Sequence, residues 1–413
     1  MRKTAANTSA QDAHGRHAQS RDMPRSAAIN FVILLGLVSL FADITYEGAR
    51  SIIGPYLATL GASAFIISLA AGSGELVGYG MRLFSGLLTD RSRRYWPITI
   101  IGYIVNLVAV PLLALAGNWP VAVALMIAER TGKAIRTPAR DAMLSHATLA
   151  TGRGWGFGLH EAMDQTGAVI GPLALTLIVG GEQGYRTGLA WLVVPAILSL
   201  ASLALARFYF PHPAALEVKT TEIAPQNLSR SYWTYLCAAA LIAFGYADFP
   251  LIAYHFGEAK IVAPHLIPAL YALAMLSAAV SALVFGRLFD HIGLWANMAA
   301  TLVASLFAPF AFYGGFVGSL VGVALWGIGM GSQESILRAF VAEVVAPQRR
   351  GGAYGVFGAV YGVAWFAGSA LMGALYDHAL WVLVAISIVC QWAATLVFLL
   401  IRMHDHRSAA ATE

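Results

Sequence analysis

At 413 residues the chain is 58% hydrophobic and 11% charged, against roughly 25% charged residues in an ordinary soluble protein. That balance excludes a soluble globular fold and leaves a multi-spanning membrane protein, with room for roughly a dozen helices of about 20 residues each. The net charge of +5 reads as Lys and Arg enrichment of cytoplasmic loops, so no nucleic-acid partner is expected.

Residues 1–28 lack an apolar core and read as a disordered cytoplasmic tail, not a signal peptide. Apolar runs of spanning length follow near 29–52, 64–88, 96–116, 119–141, 155–179 and 187–206, which together make an N-terminal six-helix bundle over 29–206. Segment 207–231, rich in Pro and charge, reads as a cytoplasmic linker. A second set near 232–256, 264–286, 293–314, 317–338, 353–375 and 380–401 makes a C-terminal six-helix bundle over 232–402, followed by a cytoplasmic tail at 403–413. Cys237 and Cys390 both lie in apolar runs and read as small core residues. With the N-terminus inside, the outer loops keep only Arg186 and Lys260 while the inner loops and tails collect the other loop cations. Both termini are therefore expected in the cytoplasm. The predicted fold is all-α, with twelve transmembrane helices in two pseudo-symmetric six-helix bundles.

Charge inside these spans carries the functional reading, because an ionised group at the bilayer centre costs about 2.5–3.5 kcal/mol even on the gentlest scale. In the first span Asp43, Glu47 and Arg50 follow at i,i+4 and i,i+3 and share a face. Asp43 falls about 21 Å along a helix begun at Ile29, and Glu47 with Arg50 reads as an ion pair at the outer rim. Glu75 and Arg82 share a face of the second span, and Glu129, Lys133, Arg136 and Arg140 share one on the fourth. In the fifth, His160 and Asp164 lie one turn apart. The simplest arrangement is a wet cavity between the bundles, lined by Asp43, Glu47, Glu75, Glu129, Arg130 and Asp164, with Lys133 and Arg136 placed to attract an anion. These acids serve either as permanent ion pairs pinning helices or as proton carriers; Asp43 and Glu75 are the candidates for the second role, and Arg130 with Glu129 for the first. The C-terminal half is poorer in charge, with Asp248, Glu334 and Arg338, and offers aromatics instead: Tyr246, Tyr254, Tyr271, Trp326, Tyr361 and Trp365. One polar lobe facing one aromatic lobe suits an amphiphilic organic solute.

The halves repeat one another. "GLLTDRSRR", with Gly86, Asp90, Arg91 and Arg94, finds its counterpart in "GRLFDHIG", with Gly286 and Asp290, at an offset of 200 residues. "LFAD" ending at Asp43 is matched by "GYAD" ending at Asp248. These residues resemble the major facilitator superfamily over about 30–402. The loop after the second span fits its Gly-x-x-x-Asp-(Arg/Lys)-x-Gly-(Arg/Lys)-(Arg/Lys) pattern, with Arg93 where glycine is usual. Arg130 stands at its mid-membrane arginine, followed by Lys133 and Ala134 in place of Gln-Gly. Gly158, Gly167, Gly171 and Pro172 resemble the helix-packing motif of the antiporter branches, with Leu175-Thr176 in place of the usual glycine pair. The resemblance implies a two-lobed secondary transporter of the inner (plasma) membrane. Gly86, Asp90, Arg91 and Arg94 would form gating loops with Asp141 and with the counterpart Gly286 and Asp290, Asp90 latching one conformation.

"HEAMD" at His160 lacks the second histidine of a zinc helix, and neither a nucleotide-binding loop nor a hydrolase elbow occurs. No metal, no cofactor and no enzymatic activity are expected. The leading reading is a monomeric, proton-coupled exporter that exchanges a small organic molecule for protons. The alternative is a proton-coupled uptake symporter for an anionic metabolite or metal chelate, favoured by Lys133 and Arg136. A non-transporting scaffold or sensor is the third.

Overall fold

A computed structural model of the protein describes residues 25–151, 153–179, 184–211, 229–345 and 350–410. Most of the N-terminal tail and of the linker, and the Arg349 end of one loop, lie outside the described residues. Fifteen α-helices account for nearly all of the described chain: α1 Arg25–Thr59, α2 Ala64–Ser92, α3 Tyr95–Leu112, α4 Trp119–Thr151, α5 Arg153–Ile178, α6 Gly184–Trp191, α7 Val193–Tyr209, α8 Arg230–Phe244, α9 Phe249–Glu258, α10 Ile267–Ile292, α11 Leu294–Ala304, α12 Phe307–Tyr313, α13 Gly315–Val344, α14 Arg350–Tyr376 and α15 Leu380–Ala410. Only helices satisfy every backbone group within one segment, as hydrocarbon demands.

Ten helical stretches among the described residues are long and apolar enough to cross a membrane. The rods α4 and α5 fall outside that set, and they are the two that carry Glu129, Arg130, Lys133, Arg136, Arg140 and Asp164. Three predicted spans are not straight rods. The sixth is split into α6 and α7, the seventh into α8 and α9 around Gly245–Asp248, and the ninth into α11 and α12. The break at Gly245–Asp248 leaves Asp248 extended (φ −65°, ψ 143°) just before the Phe249-Pro250 start of α9, which turns its carboxylate into the interior. Outward surfaces are apolar, with Leu115, Leu177, Leu283 and Leu396 exposed.

Within each lobe small residues let backbones touch. A Cβ on Gly167 would lie 2.3 Å from the Leu40 carbonyl oxygen, and one on Gly171 2.4 Å from that of Ile44, so α5 rides directly on α1. Between lobes α2 packs on α14, α5 on α10 and α1 on α9. The turn after α2 shows why glycine suits position 93: Arg93 is the left-handed C-cap (φ 53°, ψ 21°), with its N–H donating to the Thr89 carbonyl at 2.8 Å. Its counterpart Gly293, at φ 59° and ψ −136°, donates to Phe289 at 2.8 Å. The turn closes with the arginine, at a cost of about 1–2 kcal/mol of left-handed strain.

Candidate functional site

A cavity of about 600 Å³ lies between the lobes. Glu47, Arg50, Glu75, Arg82, Arg130 and Lys133 line one side, from α1, α2 and α4; Gln333 and Glu334 of α13 and the α14 aromatics line the other. It runs from Glu47 and Trp365 to Gly86, Leu87 and Gly355, toward the end of the bundle that carries the α2–α3 turn. The opposite end is shut by close approaches: a Cβ on Gly54 would lie 2.0 Å from the Pro250 carbonyl oxygen, one on Gly72 2.7 Å from Ser369 Cβ, and one on Gly373 2.6 Å from Ser68 Cβ.

Glu75 sits at the centre of the charged wall. Its Oε1 lies 3.0 Å from Nη2 of Arg50 and 3.3 Å from Nη2 of Arg130, so one carboxylate from α2 ties α1 to α4. Arg130 also reaches Glu129 (Nε to Oε2, 3.5 Å). Glu129 is anchored by Asn106 of α3, whose Nδ2 donates to its Oε1 at 2.8 Å and to its carbonyl at 3.1 Å. Glu47 and Arg50 do not form the rim pair expected of neighbours one turn apart. Each turns toward another helix: Arg50 to Glu75, and Glu47 across the lobe boundary, where the Tyr271 hydroxyl of α10 donates to its Oε2.

Behind this wall lies a second group inside the N-terminal lobe. Asp43 is buried, does not line the cavity, and accepts no hydrogen bond from a described residue. The charges acting on it are those of Asp164, Lys133, Glu47 and Arg136. Asp164, on α5, holds one buried carboxylate oxygen without a partner. Lys133 belongs to both compartments: it lines the cavity, its Nζ stands 3.7 Å from the Tyr46 ring centroid, and Glu47 and Asp43 are the opposite charges acting on it. Arg136 is almost wholly buried over the Tyr103 ring at 4.2 Å, with Nε and Nη1 unbonded. It does not line the cavity. Nearer the α2–α3 turn, Arg140 clasps Asp141 (2.8 and 3.0 Å) and donates to Ser39 at 3.0 Å, and Ser39 meets His160 Nε2 at 3.0 Å.

The C-terminal counterpart of Asp43 is held differently. Asp248 accepts from Trp365 Nε1 at 2.8 Å and from the Ser369 hydroxyl, both on α14. Of the residues expected to gate, Gly86 lines the cavity with Pro138 Cβ 4.0 Å from an added Cβ, and Gly286 has Ser335 at 3.8 Å. Arg91, Arg94 and Asp290 are exposed, and the Asp90 and Arg338 side chains lie outside the described residues. Gly158 faces open space, so of the packing motif only Gly167 and Gly171 bring backbones together, near the buried Pro172. Among the described residues no group of three or more His, Cys, Asp or Glu is placed to hold a metal ion. Asn106, Tyr46, Tyr103 and Ser39 escaped the sequence reading. A lone Asn within "GYIVNLVAV" is the signal that would have found the first; the others look like ordinary span residues.

Two lobes of helices joined around a central charged cavity define a membrane carrier, and the chain belongs to the Major Facilitator Superfamily, which it matches over residues 35–368 and 234–413. It is a multi-pass membrane transporter, not an enzyme. An uncharacterised protein of Mycobacterium tuberculosis is 41% identical over 388 residues, 92% of this chain and 95% of that one. An uncharacterised MFS-type transporter of Methanocaldococcus jannaschii is 26% identical, covering 84% and 88%. Among solved structures, a variant of the nucleoside transporter NupG superposes with TM-score 0.72 at 13% identity, covering 89% of this chain and 100% of that one. A bacterial homologue of the human lysosomal transporter Spinster, inward-facing and occupied, gives 0.67 at 15% identity, covering 90% and 96%. At such identities the likeness speaks to fold alone.

Proposed function

We propose that the protein carries a small organic anion together with a proton by alternating access, as a monomer in the cytoplasmic membrane with twelve spans and both termini inside. The observation that carries this reading is Lys133, which lines the cavity and feels the charges of Glu47 and Asp43. While Asp43 is ionised it supplies counter-charge to the ammonium. A proton on Asp43, or shared between Asp43 and Asp164, removes that counter-charge and leaves the ammonium to an anion in the cavity. Each ligand then favours the other, and linkage makes the coupling reciprocal. The lining agrees: four cations, Arg50, Arg82, Arg130 and Lys133, face three carboxylates, Glu47, Glu75 and Glu334. In the orientation set by the positive-inside rule, the open end is cytoplasmic and the sealed end, at Gly54, Gly72 and Gly373, is external.

A second reading, export in exchange for protons, draws on the Gly167 and Gly171 packing of α5 against α1, which matches the antiporter-like motif. Proteoliposomes separate the two. An acidic exterior drives accumulation of the anion in a symporter and its expulsion in an antiporter. Asp43→Asn should abolish gradient-driven accumulation while sparing substrate exchange at equal pH; full gradient-driven accumulation in that variant removes Asp43 from the mechanism.

A further inference from the structure

Asp43 is buried and does not line the cavity, so a proton it holds must reach water through other groups. A Cβ on Gly167 of α5 would lie 3.0 Å from Asp43 Cβ, and Asp164 stands one turn before that glycine on the same helix. The charges acting on Asp43 are Asp164, Lys133, Glu47 and Arg136; those acting on Asp164 include Arg140, His160, Lys133 and Arg136. One turn nearer the α2–α3 end, Ser39 precedes Asp43 on α1 and His160 precedes Asp164 on α5, and their side chains meet at 3.0 Å. Arg140 Nη1 donates to Ser39 Oγ at 3.0 Å, which leaves the hydroxyl proton for His160 Nε2. A hydroxyl can also accept, so the contact survives when Nε2 gains a proton. The same arginine clasps Asp141, whose side chain is 46% exposed. Asp164 and Asp141 favour a charged His160 ring while Arg140 and Arg136 oppose one, a balance suited to a group that passes a proton on. Four buried polar atoms of this compartment have no partner among the described residues: Asp164 Oδ1, Arg136 Nε and Nη1, and the Tyr103 hydroxyl. Buried polar groups are almost always bonded, and internal water is the usual partner where the protein supplies none.

We propose that Asp164, His160 and Ser39 form a proton relay that connects Asp43 to the cytoplasm through the N-terminal lobe, apart from the solute cavity. The proposal rests on the coupling role given to Asp43 above. A proton leaving Asp43 is taken by Asp164. Asp164 yields it to the imidazole, and the imidazole, positioned by Ser39, releases it to water beside Asp141. Each intermediate group returns to its starting charge, and Asp43 alone ends one proton poorer, as a carboxylate. None of Asp43, Asp164, His160 and Ser39 lines the cavity, so solute and proton leave by different paths.

A pH jump on the purified full-length protein tests it without a solute, with protonation followed by time-resolved infrared spectroscopy. The carboxylic-acid band that is lost in Asp43→Asn reports Asp43. His160→Gln and Ser39→Ala should each slow the rise and decay of that band by about a hundred-fold or more, while the final amplitude is still reached. A purely structural role for either residue would not separate rate from amplitude in this way. Thermal unfolding identifies a folding defect, and Ser39→Ala, which removes a single oxygen, decides the matter if the glutamine variant does not fold. Parent-like rates in either folded variant overturn the relay and leave Asp43 its coupling role. If no band of the parent protein is lost in Asp43→Asn, the carboxyl does not exchange protons, and the relay and the coupling fall together.

Discussion

Glu75→Gln removes the charge that holds the cavity wall together, and its cost can be worked from distances. Glu75 Oε1 is 3.0 Å from Arg50 and 3.3 Å from Arg130, with the three side chains 13–18% exposed. At such separations each ion pair is worth about 5 kcal/mol of direct attraction at an effective dielectric near 20. Most of that offsets desolvation. The net loss comes from the two guanidiniums left behind, and breaking a buried pair by removing one partner typically costs about 3–5 kcal/mol. Arg130 keeps Glu129 at 3.5 Å, and water in the adjoining cavity softens the exposure of Arg50, so a loss of about 3 kcal/mol is expected. Reversible unfolding in mixed micelles measures it. Removing the stranded cation as well, in Arg50→Gln with Glu75→Gln, should recover about 1–2 kcal/mol. If Glu75→Gln unfolds like the parent, or the double variant loses the sum of the two single losses, the three groups do not act as one unit.

Three further outcomes follow from the geometry. Tyr271→Phe deletes the hydroxyl that reaches Glu47 across the lobe boundary; a hydrogen bond to a charged group contributes about 1.5–3 kcal/mol, so distances between spin labels on the two lobes should shift toward the state open at the Gly54 end, and an unchanged distribution would show that the bond does not hold the lobes. Gly54→Leu places a side chain where an added Cβ already lies 2.0 Å from the Pro250 carbonyl oxygen; it should prevent closure of that end and stop turnover, whereas normal turnover would mean the contact is not a seal. Arg93→Gly relieves left-handed strain against the greater flexibility of glycine when unfolded and should change stability by less than about 1 kcal/mol, while Arg93→Val should destabilise by more; unfolding midpoints decide.

Much of the architecture was legible because lipid imposes long apolar runs. The expected first span 29–52 sits within α1, Arg25–Thr59, and the expected fourth, 119–141, within α4, Trp119–Thr151. Helices outlast the apolar pattern because backbone hydrogen bonding continues into polar ends where hydrophobicity stops. The breaks in the sixth, seventh and ninth spans were not foreseen, since Gly245–Asp248 interrupts a run that stays apolar on both sides. For the site, spacing along one helix places Asp43, Glu47 and Arg50 on one face, and all three are buried or nearly so. Partners were another matter. Glu47 meets Tyr271, Arg50 meets Glu75 and Asp248 meets Trp365, and separations of 224, 25 and 117 residues leave no trace in local periodicity. At the 200-residue offset Arg93 and Gly293 occupy the same capping position, both at positive φ.

In the proposed mechanism anion and proton bind together through Asp43 and Lys133. This coupling is tested most directly with a pH-sensitive dye sealed inside proteoliposomes at equal internal and external pH, to which candidate organic anions are added outside. A transported anion should acidify the lumen with the parent protein and leave it unchanged with Asp43→Asn. Alkalinisation of the lumen, or the same acidification in both proteins, would contradict it.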